Sequence, residues 1–454
     1  MSTKRRRRRK SRLPEELVEV EVVALSNEGR GIAHVDERTV FIDQALTGER
    51  VRFKYTRLNT KIAEARTVDV IRPSKLRVEP KCLAFTMCGG CSLQHMSSQT
   101  QIALKQDMLL DQLRHLDVMP DEIIEPLLGP EYGYRHKARL GVRYVHKKEK
   151  VLVGFRERGS SFITDTERCE VLHPSVGVII RELAECINQL EAKRTIPQIE
   201  VAVGDNQTVL VFRHLEELVD ADRQILISFC QLHSLTCYLQ AGKPDNLELL
   251  YPSQVETLSY QLPGLGRAGT GLKIEFEPSD FTQVNPEINK RMVANAVEYL
   301  ELKASDSVLD LFSGLGNFSL AMAGHCKQVT AVEGSQLMVQ KARHNATLND
   351  IVNAEFVYAD LYSDEIANAP WLKQKYHKIL LDPPRSGAAE ILPALKKMQA
   401  SIIVYVSCHP ATLARDAAVL VNECGYKLSK AGIMNMFPHT GHVESIAVFE
   451  KIKK

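Results

Sequence analysis

The stretch Ser307-Val-Leu-Asp-Leu-Phe-Ser-Gly-Leu-Gly-Asn-Phe-Ser-Leu320 decides the fold of the C-terminal part of the chain. Its first half is an apolar run typical of a buried strand, its centre carries two glycines, and its continuation through Ala323 is typical of a helix. A strand that turns sharply into a helix at glycines often opens a nucleoside-binding unit. A tight turn built only for packing has the same appearance, so the interpretation needs support from the residues that follow.

Acidic residues end the strands predicted next along the chain. Gln328–Glu333 ends in Glu333, whose carboxylate can accept hydrogen bonds from both hydroxyls of a ribose. The strands predicted at 354–360 and 377–382 end in Asp360 and Asp382. Because ligands of open α/β sheets bind at the carboxyl ends of the strands, these three carboxylates are candidates for one site.

Helical spacing between these strands completes the pattern. One helix is predicted at 335–348, with Leu337, Val339, Ala342 and Ala346 available for its buried face, and another at 388–398. Strands that alternate with helices predict a doubly wound parallel sheet. Carboxylates without a fuller nest of backbone amides for a pyrophosphate favour S-adenosylmethionine over a dinucleotide as the ligand.

Cys408 and Glu444 lie beyond the last of these acidic strand ends and are separated by 36 residues. Carbon 5 of uracil is too weak a nucleophile to take a sulfonium methyl group until a thiolate adds at carbon 6, and a base must afterwards remove the proton from carbon 5. One cysteine and one carboxylate supply that pair. A single cysteine is more often a buried apolar residue and a single glutamate a solvated acid, so the interpretation depends on their position.

The loop Asp382-Pro-Pro-Arg385 leaves an alternative open. An Asp-Pro-Pro-aromatic loop is typical of amino-methyltransferases that act on adenine, whereas here an arginine takes the aromatic position. A rigid strand exit, with no role in chemistry, would also use two prolines.

Five ordered motifs together resemble the RNA uracil-C5 methyltransferase family. They are Phe281-Thr-Gln-Val-Asn-Pro, Asp310-Leu-Phe-Ser-Gly-Leu-Gly-Asn-Phe-Ser, Leu381-Asp-Pro-Pro-Arg-Ser-Gly, Val406-Ser-Cys-His-Pro and His442-Val-Glu-Ser. The resemblance implies Cys408 as the nucleophile and Glu444 as the proton acceptor. It further implies that the methyl-donor and uracil pocket is lined by Gln283, Phe312, Asn317, Glu333, Asp360 and Asp382.

A second candidate site is a group of cysteines spaced C-x5-C-x2-C and joined far downstream by a fourth. Its members are Cys82, Cys88, Cys91 and Cys169. Four thiolates can hold an iron-sulfur cluster, and a distorted zinc site is the alternative. Resemblance to the bacterial branch that makes 5-methyluridine in 23S ribosomal RNA implies a four-iron four-sulfur cluster, with a structural or RNA-presenting role. The usual member of that branch acts on uridine 1939.

Charge and aromatic residues indicate an RNA partner. Eight of the first twelve residues are Lys or Arg, so the formal charge of +2 leaves about −6 for the rest of the chain. Short alternating runs between Leu17 and Pro73 resemble a TRAM domain, an OB-like RNA-binding barrel. A mixed aromatic and basic segment, Tyr132–Tyr144, makes Arg135, Lys137 and Arg139 candidates for contact with unpaired RNA.

The sequence therefore predicts a multidomain α/β protein of 454 residues. We expect a basic tail (1–13), a TRAM domain (14–73), a central α+β iron-sulfur and RNA-binding domain (74–265) and a Rossmann-like methyltransferase domain (266–454). The resemblance implies that a helix at about 99–116 packs on the last of these. Ten cysteines without a disulfide pattern, and no signal or membrane segment, favour a soluble cytoplasmic protein with no obligate protein partner.

The expected activity is S-adenosylmethionine-dependent methylation of a uridine in a single-stranded or loop region of 23S ribosomal RNA. Two rivals stay open at this point. The first is the same reaction on transfer RNA, and the second is a non-enzymatic iron-sulfur RNA-binding protein.

Overall fold

The computed structural model describes residues 13–242, 246–363, 366 and 369–452. The chain divides into two compact units. The first contains the described residues up to Lys81 together with Cys91–Leu104 and His439–Gly441, and the second contains the remainder. The predicted basic tail lies outside the described residues except for Leu13.

A six-stranded sheet forms most of the first unit, in the order β1-β5-β6-β4-β3-β2. Its strands are β1 Val18–Glu21, β2 Ala24–Leu25, β3 Gly31–Val35, β4 Arg38–Asp43, β5 Arg50–Leu58 and β6 Ile62–Arg72. Burial alternates along β5, where Val51, Phe53 and Tyr55 face the core and the residues between them face solvent. This period of two is what a half-buried strand requires.

The second unit contains two large sheets. In the first of them the strand order is β13-β12-β11-β10-β8-β9, and two helices, α3 and α4, pack on it through one apolar core. Its elements are β8 Lys137–Val145, β9 Lys150–Gly154, α2 Pro174–Gly177, α3 Ile180–Gln189, β10 Gln198–Val203, β11 Thr208–His214, α4 Asp220–Leu232, β12 Thr236–Ala241 and β13 Leu247–Tyr251. A hairpin, β14 Leu258–Leu262 and β15 Leu272–Phe276, follows.

The other sheet has eight strands in the order β18-β17-β16-β19-β20-β22-β21-β7. Its elements are β7 Glu122–Ile123, α5 Pro286–Tyr299, β16 Ser307–Leu311, α6 Ser319–Ala323, β17 Gln328–Glu333, α7 Gln336–Leu348, β18 Ala354–Tyr358, β19 Lys378–Leu381, α8 Leu392–Met398, β20 Ile402–Ser407, α9 Pro410–Asn422, β21 Tyr426–Met434 and β22 Glu444–Lys451. A further helix, α1 Ser98–Arg114, precedes β7.

Three expectations need correction. The sheet is not wholly parallel, because β22 runs antiparallel to both β20 and β21. Leu337 does not belong to the buried face of α7, since 45% of its surface is exposed, whereas Val339, Ala342 and Ala346 are buried. The helix predicted from residue 388 begins only at Leu392. Among the described residues, no helix combines the length and apolarity needed to cross a bilayer.

Candidate active site

A cavity of about 660 Å³ lies where β16, β17, β18 and β19 end. All eight residues predicted for the catalytic and cofactor site line it: Gln283, Phe312, Asn317, Glu333, Asp360, Asp382, Cys408 and Glu444. Residues at strand ends as far apart in sequence as Phe312 and Glu444, 132 positions, thus share one cavity. This is expected where strand ends meet at one edge of an open sheet.

The turn after β16 shapes one wall of the cavity. Phe312 has a φ of +67° and Gly314 a φ of +52°, both in the left-handed region. The backbone N–H groups of Phe312 and Ser313 donate to the carbonyl of Val332 at 3.0 and 3.1 Å, which holds the turn against β17. A left-handed phenylalanine is strained and persists only where its surroundings fix it, and such residues cluster at functional sites.

Glu333 is fixed at the end of β17 by two backbone donors. Its Oε2 accepts from the N–H of Gly314 at 3.0 Å and its Oε1 accepts from the N–H of Ser335 at 2.9 Å. Each carboxylate oxygen can accept more than one hydrogen bond, so the group can still accept from two hydroxyls of a ligand. The Asp360 carboxylate is exposed and accepts from the N–H of Tyr362 at 3.0 Å.

Asn317 is held by two neighbours. Its Nδ2 donates to Oδ1 of Asn289 at 2.9 Å, and its Oδ1 accepts from Tyr260 Oη at 2.9 Å and from Asn289 Nδ2 at 3.1 Å. These contacts orient the amide at the cavity wall. Tyr260 was not predicted, and no pattern in its surrounding sequence distinguishes it from a core tyrosine.

Two polar atoms near the cavity have no partner in the described part of the chain. The Ser313 hydroxyl lines the cavity without a hydrogen bond, and Oδ1 of Asp310 is buried without one, although the Ser319 hydroxyl donates to its Oδ2. Burial raises the pKa of Asp310 to about 7, and burial also raises the pKa of Asp382 to about 7. Buried polar atoms without partners are rare, and of these two only the Ser313 hydroxyl lines the cavity, where a polar ligand can reach it.

Strand pairing brings Cys408 and Glu444 together. In the antiparallel ladder between β20 and β22, Ser407 lies opposite Ser445, and the Ser445 hydroxyl donates to the Ser407 carbonyl at 3.1 Å. Cys408 directly follows Ser407 and Glu444 directly precedes Ser445, so both residues adjoin the last pair of this ladder. Both line the cavity.

Burial controls the protonation of this pair. It is the main reason that the pKa of Glu444, which is 3% exposed, lies well above the ordinary value, and the carboxylate of Asp382 raises it further. The pKa of the Cys408 thiol is raised by burial first and by Glu444 second. The Arg385 guanidinium opposes both shifts, because a positive charge stabilises an anion.

Arg385 and His442 belong to two of the sequence motifs, although the sequence alone did not indicate a role for either side chain. A guanidinium nitrogen of Arg385 donates to Nδ1 of His442 at 3.0 Å. Since a guanidinium has only donors, Nδ1 must be the accepting nitrogen of the ring. Burial lowers the pKa of His442, and Arg385 lowers it further, which is consistent with a neutral imidazole.

Lys105 supports one wall of the cavity from behind. Its side chain is 1% exposed, and Nζ donates to Oδ1 of Asn435 and to the carbonyl of Phe437, both at 2.9 Å. The ring of Phe437 lines the cavity and contacts the ring of His442 edge-on at 5.6 Å. Burial lowers the pKa of Lys105 to about 7. A lysine in a predicted helix is normally expected to be exposed to solvent, so the sequence did not indicate that Lys105 would be buried behind the cavity wall.

Three of the four predicted cluster cysteines interact within the second unit. Burial raises the pKa of Cys169 to about 11, backbone N–H groups of Leu172 and Val171 lower it, and Cys88 and Cys82 raise it. The N–H of Gly90 donates to Sγ of Cys88 at 3.4 Å. Cys91 belongs to the first unit. No group of three or more His, Cys, Asp or Glu side chains arranged for a metal ion occurs among the residues that the structure describes.

The predicted RNA-contacting residues lie on or next to β8. Lys137 donates to the carbonyl of Pro278, and burial lowers its pKa to about 8. Arg139 is 73% exposed in its side chain and pairs with Glu200 at 2.9 Å. The backbone N–H of Arg135 donates to the carbonyl of Val171. Whether they contact RNA stays a prediction.

Comparison with known protein families agrees with this geometry. The family model described as tRNA (Uracil-5-)-methyltransferase matches residues 263–452, and the TRAM domain model matches residues 13–68. Fold and site together define the class of RNA uracil-5 methyltransferases with a TRAM domain.

Two curated relatives narrow this class. A protein of Nitrosococcus oceani is 50% identical over 97% of this chain and 98% of its own length, and one of Francisella tularensis subsp. novicida is 47% identical over 98% of this chain and 100% of its own. Both are named 23S rRNA (uracil(1939)-C(5))-methyltransferase RlmD. The chain belongs to this family, so the family predicted from the five motifs is confirmed.

A solved structure supports the fold. The Pyrococcus abyssi tRNA (uracil-54, C5)-methyltransferase, in complex with S-adenosyl-L-homocysteine, superposes with a TM-score of 0.70 at 20% identity, covering 95% of this chain and 100% of that one.

Proposed function

We propose that this protein methylates carbon 5 of a uridine in 23S ribosomal RNA, uridine 1939 being the target that its relatives' names give. The observation that supports this most directly is the pairing of Ser407 with Ser445, which sets a thiol and a buried carboxyl side by side in one cavity. A thiol and a base are the two groups that the chemistry of an unactivated pyrimidine carbon needs.

The thiolate of Cys408 adds to carbon 6 of the uracil, and the electron pair of the C5–C6 double bond moves toward O4 to give an enolate. Carbon 5 would then take the sulfonium methyl group, and the methyl donor would leave as the neutral thioether S-adenosyl-L-homocysteine. The carboxylate of Glu444 removes the proton from carbon 5, and the electrons of that C–H bond re-form the double bond as the Cys408 sulfur leaves. Arg385 stabilises both anions before they react, since its charge opposes the pKa increase of each.

S-adenosylmethionine supplies an electrophilic methyl group when it is bound. We assign Glu333 to its ribose, and the unpaired Ser313 hydroxyl and the Asn317 amide line the same cavity. We assign Asp360 to the adenosine part, and Gln283 and Asp382 to the uracil. Burial keeps water from the Glu444 carboxyl group, which is 3% exposed.

The target base must leave its stack to reach Cys408, which lies inside a cavity. We propose that the six-stranded sheet of the first unit closes as an OB-like TRAM barrel and that it binds RNA together with the basic tail. The single-stranded or loop nature of the target follows from the same need for access. We place the protein in the cytoplasm, where ribosomal RNA is found.

We further propose a four-iron four-sulfur cluster on Cys82, Cys88, Cys91 and Cys169. After burial, the neighbouring thiols contribute to the raised pKa of Cys82 and of Cys169, and backbone N–H groups are directed at the sulfurs of Cys82, Cys88 and Cys169. Both observations support the cluster, since hydrogen bonds to sulfur are typical of such sites. Cys91 is included because it follows Cys88 by three residues. Anaerobic purification should give about four iron atoms and four sulfides per chain. Cys88→Ser should lose them, whereas Cys186→Ser, at a buried cysteine outside this group, should not.

A direct test of the activity uses nucleoside mass spectrometry. Transcripts of 23S ribosomal RNA and of transfer RNA are incubated with the protein and S-adenosylmethionine, digested and searched for 5-methyluridine, and the methylated position is then mapped. We expect 5-methyluridine in ribosomal RNA alone. Product in transfer RNA alone would select the rival substrate, methyl on a base nitrogen would select an adenine methyltransferase, and no product would favour a binding protein.

A further inference from the structure

A second large cavity in the described part of the chain is a basic groove outside the active site. It has a volume of about 640 Å³ and lies between β8 and two loops, residues 88–90 and 155–163. Four arginines, Arg139, Arg143, Arg156 and Arg158, line it, against one carboxylate, that of Glu157. We call it the arginine groove. Its side-chain charge is +3.

Two of these arginines have side chains without a partner among the residues that the structure describes. The side chains of Arg143 and Arg156 are exposed and make no ion pair or hydrogen bond in the ranges that the structure describes. Arg139 pairs with Glu200 at 2.9 Å, but a pair with one partner 73% exposed is worth little. Unpaired guanidiniums collected in a concave surface raise the local positive potential and attract anions.

Backbone hydrogen bonds between two loops hold the walls of the arginine groove in place. The loop that carries Cys88 pairs with the loop that carries the arginines, through Gly89 N–H to the carbonyl of Arg156 at 2.8 Å and Arg158 N–H to the carbonyl of Met87 at 2.9 Å. A Cβ on Gly89 would lie 3.0 Å from the carbonyl oxygen of Arg156, which is a tight contact, so the close approach favours glycine. The two loops are thus held close enough to form opposite walls.

One face of β8 connects the groove to the active site. Side chains alternate along a strand, so Lys137, Arg139, Gly141 and Arg143 share its outer face. Lys137 reaches the carbonyl of Pro278, three residues before Phe281, which lines the catalytic cavity and is 77% exposed. From Lys137 to Arg143 the strand rises about 20 Å, at about 3.3 Å per residue.

We propose that the arginine groove binds the phosphate backbone of the RNA strand that flanks the target uridine. A row of separate guanidiniums over about 13 Å, from Arg139 to Arg143, is too long for a single phosphate and suits an extended polyanion. Planar guanidiniums also match phosphate oxygens in two-point contacts. The inference rests on the proposed function for the identity of the RNA, and it adds a specific binding site distant from the reacting groups.

The test measures binding of a fluorescent single-stranded RNA without uridine, as a function of salt, for Arg143→Ala/Arg156→Ala. Both side chains are exposed, so folding should be kept, and the melting temperature checks this. Each phosphate contact adds about 0.7 to the slope of log K against log salt for single strands. We expect the slope to fall by about 1.4 and affinity at about 0.1 M salt to fall roughly 25-fold.

The matched control is Lys396→Ala/Lys397→Ala, which removes the same charge from exposed positions of α8 and should leave the slope unchanged. With ribosomal RNA as substrate, the groove variant should raise KM and keep kcat. An unchanged slope, or a change equal to that of the control, overturns the groove proposal. Failure of the wild-type protein to form 5-methyluridine would instead contradict the proposed function, so the two failures are distinguishable.

Discussion

The Arg385 guanidinium donates a hydrogen bond to Nδ1 of His442 at 3.0 Å, and this contact holds a positive charge beside both reacting groups of the site. The same charge lowers the pKa of Cys408 and that of Glu444 against the raising effect of burial. Because the proposed reaction needs both groups deprotonated, the position of Arg385 sets the pH at which the protein works.

We expect the rate of methyl transfer to rise with pH, since both pKa values lie above their ordinary values. Arg385→Ala should move that rise to higher pH, because removing the cation raises both pKa values further. Arg385→Lys keeps a positive charge and should therefore reverse part of that change. The measurement is kcat/KM between about pH 6 and about pH 10. Lys397→Ala serves as the control, and a parallel loss of rate at every pH in Arg385→Ala would exclude this role.

Cys408→Ala should abolish 5-methyluridine formation, by at least about 1,000-fold, while RNA affinity stays within about twofold. The reason is that carbon 5 remains unreactive without the sulfur adduct. Cys326→Ala removes another thiol, from the turn between α6 and β17, and should keep activity. Methylation at the wild-type rate by Cys408→Ala would eliminate the covalent route.

Glu444→Gln should accumulate protein covalently bound to methylated RNA, since the amide cannot remove the carbon 5 proton and the sulfur cannot leave. A denaturing gel shows the complex as a slowly migrating band, and mass spectrometry of the attached nucleotide shows the added methyl. Glu450→Gln, on the same strand β22, is the matched control and should give no such band. If Glu444→Gln turned over normally, another base would have to be sought.

Lys105 should make folding stability depend on pH. Its pKa of about 7 in the folded protein is lower than the ordinary value of 10.5, so between these values the unfolded chain binds more protons and stability rises with pH. In Lys105→Met that contribution is absent. The difference in unfolding free energy between wild type and variant should therefore grow by up to about 1.4 kcal/mol per pH unit above pH 7.

The check is denaturant unfolding of wild type, Lys105→Met and Lys327→Met at several pH values, the last being an exposed lysine. Lys105→Met should also lower kcat, because Asn435 and Phe437 lose their donor and the wall of the cavity shifts. A constant difference between wild type and Lys105→Met across this range would show that Lys105 keeps its ordinary pKa in the fold.

Local sequence was enough to place the strand-turn-helix at residues 307–320 and the acidic ends of the following strands, because apolar runs and glycine turns depend on neighbours in the chain. The location of the cavity could then be predicted, because ligands of open α/β sheets bind at the carboxyl ends of the strands. The direction of β22 could not be predicted, since a buried run such as Ser445–Phe449 reads the same in either direction and only pairing with β20 decides it.

Other parts of the site depend on contacts that no local pattern reveals. The buried ammonium group of Lys105 donates hydrogen bonds to residues more than 300 positions away in the sequence. Tyr260, in the hairpin of β14 and β15, donates a hydrogen bond to Asn317. Leu337 is the reverse case: it is an apolar residue of a helix and was predicted to be buried, but it is 45% exposed. Partners distant in sequence decided each of these cases.

The ladder between β20 and β22 has a practical consequence for engineering. The segment from residue 409 to residue 443 begins after β20 and ends before β22, and these two strands are hydrogen-bonded to each other. The positions of Cys408 and Glu444 therefore do not depend on the length of this segment. Residues inserted beside the exposed Glu423, in the turn between α9 and β21, should therefore leave catalysis intact, and that position is a natural place to attach a label or a fused domain.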